Sequence, residues 1–143
     1  SAVQYYLTNE KNLPDSSQYN SSGRGFPDIS AQSVDFKIYV NGRTEAVSGT
    51  SCSSPTAVGI FALLNDLRSQ NSMSKLGFLN PFIYQNPTAF NDVTEGYNKG
   101  CGISHGFEAY EKWDPASGWG SPNYQALSGL VLKTGQQTKK YNI

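Results

Sequence analysis

Eight residues with unusual chemical potential run in a row: Ser48-Gly49-Thr50-Ser51-Cys52-Ser53-Ser54-Pro55. They stand between an extended stretch and a run of helical periodicity (Ala57, Val58, Ile60, Phe61, Leu63, Leu64, Leu67). A small-residue turn in that position places a hydroxyl at a helix N-terminus, where free backbone N–H groups and the positive end of the dipole favour negative charge. Acyl transfer needs that setting, because its tetrahedral intermediate carries an oxyanion. The plainer alternative is a Ser/Thr-rich N-cap on an ordinary amphipathic helix. Further along, Asp92 and Asp114 lie in Gly- and Asp-rich sequence, where carboxylates either close Asx turns or, with main-chain carbonyls, hold a hard cation.

The surrounding elements must position these groups. Val3, Tyr5, Tyr6 and Leu7 suggest a short element of unassigned type, and residues 9–24 read as loop. Phe26-Pro27-Asp28-Ile29-Ser30-Ala31 is expected to be a short buried strand entered through a proline. Phe36 to Val40 alternates, meets Asn41-Gly42, and continues from Arg43 to Val47, the pattern of a tight hairpin. A helix is expected from Ser51 or Ser54 to Ser69, with Pro55 in its first turn, where a missing N–H costs little. A short helix over Leu79–Tyr84 would start on Asn80 and Pro81. A last helix covers Tyr124–Leu132, and residues 133–143 form a polar tail. Residues 90–121 lack periodicity, and a loop of that length is functional or held by something.

Composition bounds the function classes. The 143 residues suffice for one domain with a core. Charged residues make up 15 %, while aromatics at 13 % argue against disorder. A formal net charge of zero with no basic stripe disfavours nucleic acid as a partner. No apolar run has membrane-spanning length, so no membrane partner is expected. Neither a starting Met nor a signal peptide is present, as expected of a processed or truncated product. Cys52 and Cys101 form no metal pattern, and Asn20-Ser21-Ser22 is the one glycosylation sequon.

Five motifs taken together carry a family resemblance. Gly23-Arg24-Gly25-Phe26-Pro27-Asp28-Ile29-Ser30-Ala31 precedes the Ser48–Pro55 run. Leu76-Gly77-Phe78-Leu79-Asn80-Pro81 with Tyr84-Gln85 follows, then Asn91-Asp92-Val93-Thr94-Glu95-Gly96, then Trp113-Asp114-Pro115-Ala116-Ser117-Gly118-Trp119-Gly120-Ser121-Pro122-Asn123. In order and spacing, over residues 3 to 132, they resemble the sedolisin family of serine-carboxyl peptidases. The resemblance implies an α/β fold, the C-terminal part of a subtilisin-like architecture with a parallel sheet flanked by helices, spanning residues 1–143. It implies a Ser-Glu-Asp triad with Ser51 as nucleophile, acting on peptide or protein substrates. The triad Glu and Asp, and the Asp completing the oxyanion hole, would lie on an N-terminal chain of the same catalytic domain, held non-covalently or by a disulfide. This chain alone is expected to be inactive. A secreted, lysosomal or acidic vacuolar location is implied, and Asn20 matches a position glycosylated in a family member.

The residues agree with a carboxylate base. A Ser-His-Asp triad needs a histidine, and the single one, His105, follows Ser51, whereas the subtilisin order places it before. His105 reads as a surface loop residue. A Glu base accepts the Ser proton only while ionised and returns it only once protonated, and an Asp neighbour sharing protons supports this at acid pH. Cys52 beside Ser51 suggests a thiol nucleophile as an alternative, against the plainer assignment of a small buried thiol. Cys101 falls where some relatives bridge to the upstream half of the domain; it is tethered there or free.

The family's single calcium ion is held by two Asp carboxylates, three carbonyls and water. The resemblance places these on the Asp92 and Asp114 carboxylates and the Val93, Tyr110 and Lys112 carbonyls. The family usually has Gly at the last two positions, and side chains there narrow the allowed backbone angles. Two rival functions remain open: a calcium-stabilised structural or binding module without catalysis, and a subtilisin-type protease whose His lies elsewhere. The intact Ser-Gly-Thr-Ser argues against the first, since nothing structural requires a hydroxyl at Ser51. The Asp92 and Trp113-Asp114-Pro115 motifs disfavour the second. Endopeptidase and tripeptidyl-peptidase action are not separated by sequence.

Overall fold

The computed structural model describes residues 1–100, 102 and 106–134; Cys101, His105 and the tail from 135 onward lie outside the described residues. The elements, in chain order, are α1 (Ala2–Asn9), β1 (Phe36–Val40), β2 (Arg43–Val47), α2 (Thr50–Gln70), α3 (Asn80–Gln85), β3 (Phe90–Asn91), β4 (Ser121–Pro122) and α4 (Tyr124–Val131), with a 3-10 turn at Pro87–Ala89. Among the described residues the strands form two two-stranded sheets, β1 with β2 and β3 with β4. The parallel sheet expected of the complete architecture is not assembled from the strands among the described residues. The chain divides into two compact units, one of Ser1–Ser30 and Phe90–Ser121, the other of Ala31–Ala89 and Pro122–Ile143.

The first unit is built on aromatic side chains. The short element of unassigned type is a helix, α1, capped by the Ser1 side chain, which accepts from the Gln4 N–H. It buries Tyr6 completely, and the Tyr6 hydroxyl donates to the Glu108 carbonyl at 2.8 Å. Phe107, Tyr110 and Trp113 meet the Tyr6 ring edge-on at 6.3, 6.3 and 6.5 Å between centroids. Burial in this cluster, with Glu10, Asp114 and Glu108 nearby, pushes the Tyr6 phenol well above its ordinary range. Trp113 donates its indole N–H to the Pro27 carbonyl at 2.8 Å. Gly25 lies so close to the indole that a Cβ there would sit 2.0 Å from Trp113 Cη2, which is why that position carries no side chain.

One expectation fails here. Residues 26–31 form no strand, and Phe26 is fully exposed. Instead the backbone of 28–30 runs beside the Trp-Gly loop, with the Trp119 N–H donating to the Asp28 carbonyl and the Ser30 N–H to the Gly120 carbonyl, both at 2.9 Å. The apolar and proline signals mark an extended segment correctly, but a strand needs a longer ladder than this loop offers. The stretch 90–121 is organised by short antiparallel contacts, Tyr97 with Glu108 and Asp114 with Gly118.

The second unit is built around α2. The hairpin pairs Phe36 with Val47 through Val40 with Arg43, and Asn41 and Gly42 both take positive φ, 50° and 76°, the two-residue turn their types predict. Helix α2 begins at Thr50 and ends at Gln70, slightly longer than expected at both ends. Its Phe61 and Leu64 are buried, α2 packs on α4, and α4 contributes buried Leu127 and Val131. Helix α4 is capped by the Asn123 side chain, which accepts from the Ala126 N–H. Helix α3 buries Phe82 and Ile83; its N-cap position is Leu79 and carries no side-chain bond, so Asn80 does not cap the helix as expected.

Arg68 is 4 % exposed and joins the segment after α2 to the end of α4. Its guanidinium donates to the Ser74 carbonyl at 2.5 Å, to the Thr134 carbonyl at 2.9 Å and to the Val131 carbonyl. Val131 and Thr134 lie at the C-terminal end of α4, where carbonyls have no helical donor and the dipole favours a cation. The first residues of the expected tail are thus bound, not loose. Removing the cation leaves the buried Val131 carbonyl without this donor, at a cost of roughly 1–3 kcal/mol, and the part-buried Ser74 and Thr134 carbonyls without theirs at a smaller one. Arg68→Ala is expected to lower unfolding free energy by about 2–4 kcal/mol in a denaturant titration, while Arg43→Ala on the exposed hairpin changes it by less than about 0.5 kcal/mol.

Candidate functional site

The two groups of candidate residues fall in different units. Ser51 belongs to the second, in the first turn of α2, and it is exposed. Gly49 at the N-cap has no side chain to occupy the orphan N–H groups of the first turn, and no side-chain cap bond forms there. The first turn therefore keeps donors and dipole available to an anion beside the Ser51 hydroxyl. The Cys52 N–H donates to the Gly49 carbonyl at 3.0 Å, and the Gly49 N–H to the Ser33 carbonyl at 2.7 Å, fixing the turn. Ser53 secures it from the side, its hydroxyl donating to the Ala31 carbonyl at 2.9 Å.

Because α2 starts at Thr50, Pro55 lies inside the helix and not in its first turn. This corrects the expectation of a cheap N-terminal proline. Pro55 has no N–H to give to the carbonyl four residues back, which is that of Ser51. The backbone around the hydroxyl is thus opened on two sides, by glycine at the cap and by proline within. Among the described residues no side chain hydrogen-bonds to the Ser51 hydroxyl, so no base is supplied to it there. Cys52 is a free thiol and half-buried, more accessible than a packed core thiol.

Asp92, Tyr110, Lys112 and Asp114 are brought together in the first unit. The Lys112 N–H donates to Asp92 Oδ2 at 2.6 Å, and the Tyr110 N–H to Asp114 Oδ2 at 3.3 Å. Asp114 Oδ1 accepts from the Ala116 and Ser117 N–H groups at 2.8 and 2.7 Å, and Oδ2 from the Ser117 hydroxyl at 3.0 Å. Asp114 has no exposed surface. Burial raises its carboxyl above the ordinary carboxylate value, while the donors from Ser117, Tyr110 and Ala116 pull it back. Val93 follows Asp92 with its side chain partly exposed. Lys112 takes φ of +70°, a glycine-like conformation that costs a lysine on the order of 1 kcal/mol. Its ammonium lies 3.9 Å from the centroid of the Tyr5 ring on α1, a cation–π contact that offsets part of that cost.

Among the described residues no group of three His, Cys, Asp or Glu side chains could hold a metal. Carboxylates with main-chain carbonyls are hard-cation ligands and not a zinc or copper set; here the two carboxylates accept from the main-chain N–H groups of Tyr110, Lys112, Ala116 and Ser117 and from the Ser117 hydroxyl. Gly120 packs against the Asp92 segment, where a Cβ would meet the Asn91 carbonyl oxygen at 1.9 Å. Sequence reasoning missed the Tyr5–Lys112 contact, since no spacing rule links residues so far apart.

No helix among the described residues is long and apolar enough to cross a membrane. No family model matches the chain. The chain is 43 % identical over 129 residues to tripeptidyl-peptidase SED4 of Arthroderma otae, covering 80 % of this chain and 22 % of that protein. It is 41 % identical over 137 residues to physarolisin of Physarum polycephalum, covering 91 % of this chain and 24 % of that protein. Its fold matches Pseudomonas sedolisin, a serine-carboxyl proteinase solved with two molecules of pseudo-iodotyrostatin, with a TM-score of 0.64, 31 % identity, and coverage of 77 % of this chain and 30 % of that one. The chain spans about a quarter of the length of these curated relatives. By these likenesses in sequence and fold, the chain belongs to the sedolisin family, as a C-terminal part of its α/β architecture.

Proposed function

We propose that this chain supplies the nucleophile and a calcium-bound loop to an acid-acting serine-carboxyl peptidase. The observation that carries the proposal is Ser51 in the first turn of α2, exposed and flanked by an uncapped glycine. Ser51 Oγ attacks the scissile carbonyl and passes its proton to a Glu carboxylate; the tetrahedral oxyanion is held by first-turn N–H groups and an Asp side chain. Collapse expels the amine, which takes the proton back, and water then hydrolyses the ester on Ser51. The Glu, its Asp neighbour and the oxyanion Asp come from the part of the catalytic domain that the relatives carry and this chain does not. That part is also the partner for apolar side chains exposed in the second unit, Val58 and Leu63 on α2 and Tyr39 on the hairpin, at 62, 58 and 76 % exposure.

A calcium ion on Asp92 and Asp114, with the Val93, Tyr110 and Lys112 carbonyls, would neutralise a buried carboxylate and stiffen a stretch with little secondary structure. The ion would contribute stability and take no part in the chemistry at Ser51. Secretion, or delivery to an acidic vacuolar compartment, accords with both, since calcium is abundant outside the cytosol and a carboxylate base works at acid pH. Tripeptidyl-peptidase action, as the fungal relatives' names state of them, and endopeptidase action both remain compatible with these residues.

In the complete enzyme, Ser51→Ala is expected to lower kcat by on the order of 10³ to 10⁶ with the fold intact. Activity should be greatest at acid pH and fall toward neutrality, because the base must be reprotonated in each turnover. The chain alone should show no turnover with or without Ser51. Turnover by the isolated chain that Ser51→Ala abolishes would contradict the placement of the base elsewhere, and full activity of the variant enzyme would remove Ser51 as nucleophile. A chelator should lower the melting temperature of the wild-type enzyme, and Asp92→Asn or Asp114→Asn should remove most of that sensitivity. Equal chelator sensitivity in the variants would place any ion elsewhere.

A further inference from the structure

Four residues other than glycine take positive φ among the described residues: Asp35, Asn41, Ser72 and Lys112. Aspartate, asparagine and serine have short polar side chains that can bond to the nearby main chain and ease that conformation. Lysine has no such means, so the Lys112 φ of +70° must be held from outside. Local main-chain pairing does not supply the hold. The Ala109 and Asp114 N–H groups donate to the Gly96 and Gly118 carbonyls, but between them the Tyr110 and Lys112 N–H groups donate to carboxylates, those of Asp114 and Asp92.

Two contacts hold Lys112. Its N–H donates to Asp92 Oδ2 at 2.6 Å, a bond exposed to solvent, so water competes for both partners. Its ammonium lies 3.9 Å from the centroid of the Tyr5 ring, and Tyr5 is half-buried on α1. The neighbouring Tyr6 anchors that helix: its hydroxyl donates to the Glu108 carbonyl, and its ring meets those of Tyr110 and Trp113 edge-on. The Tyr5 ring is therefore presented from a support fixed to the chain on both sides of Lys112.

We propose that Tyr5 and Lys112 form a latch that holds the 110–114 loop closed on Asp92 independently of any ion, both acting as positioning residues. Releasing the ammonium frees the Lys112 backbone to leave the left-handed region, and its N–H then swings away from Asp92. A glycine at this position would need no such support, and it would also supply none. The latch presets the Asp92 and Asp114 carboxylates, which a bound cation would otherwise have to draw together against the entropy of an open loop. Both contacts lie within the chain, so the latch stands apart from the calcium reading. An ion that binds here meets carboxylates already in place.

The test is hydrogen exchange of the full-length protein in excess chelator, read by mass spectrometry with fragmentation that resolves the Lys112 and Ala109 amides. Tyr5→Leu and Lys112→Met are each expected to lower protection of the residue-112 amide about 2–5-fold, the range that a cation–π contact of this exposure supports. Tyr5→Phe keeps the ring face and should keep wild-type protection. The double variant should lose no more than either single one, and Ala109 protection should be unchanged throughout. Unchanged protection at residue 112 in Tyr5→Leu would overturn the latch, as would a Tyr5→Phe loss equal to that of Tyr5→Leu or additive losses in the double variant. An equal loss at Ala109 would show general loosening of this unit and would overturn it too. So would a difference between wild type and Tyr5→Leu that appears with calcium and vanishes in chelator, since the ion would then be what closes the loop. The expected variant losses in a protein whose wild-type protection is the same with calcium as with chelator would overturn the calcium reading and uphold the latch.

Discussion

Asp114 has no exposed surface, and its two carboxylate oxygens collect hydrogens from Tyr110, Ala116 and Ser117. Backbone donors in a stretch without helix or ladder must find acceptors, and a buried carboxylate can serve several at once. The rest of the first unit depends on this constraint. It turns the chain so that Trp113 enters the aromatic cluster on one side and the Gly118–Gly120 segment meets residues 28–30 on the other. It also sets the backbone of 110–114 against Asp92, through the Lys112 N–H. A carboxylate buried in this way is costly while charged, which is the condition under which a bound hard cation contributes most.

In the second unit the governing feature is a helix start that is deliberately incomplete. Gly49 offers no capping oxygen, and Pro55 offers no N–H to the Ser51 carbonyl. Both omissions cost helix stability, and both leave polar backbone groups beside one hydroxyl. The helix recovers stability further along, where Phe61 and Leu64 pack on α4 and Arg68 ties its end to carbonyls at the end of α4. The helix is thus anchored over its C-terminal half and left without a side-chain cap at its first turn.

Much of this was legible in the residues. Asn41-Gly42 between alternating runs forced the hairpin and its register, because few residues accept positive φ at both turn positions. The Ser-Gly-Thr-Ser run marked the start of α2, at Thr50, one residue before the earlier expected start, Ser51, and four before the other, Ser54, and α4 begins at Tyr124 as expected. Residues 26–31 were not legible as they stand, since whether an apolar extended segment becomes a strand depends on the neighbours available to it and not on its own composition. The position of Pro55 within α2 was missed because glycine at a cap gives no side-chain signal of where the first turn begins. Arg68 gave no sign of burial, because its partners are carbonyls, which are the same at every residue. Tyr5 and Lys112 meet across more than a hundred residues, beyond any local pattern.

The central claim is that Ser51, and not the adjacent thiol of Cys52, is the nucleophile of the complete enzyme. A peptide aldehyde soaked into crystals of the full-length protein at acid pH tests it directly. The account predicts a hemiacetal between the aldehyde carbon and Ser51 Oγ, with its oxygen turned to the first-turn N–H groups of α2. A thiohemiacetal on Cys52, or an aldehyde bound without any bond to Ser51, would contradict it.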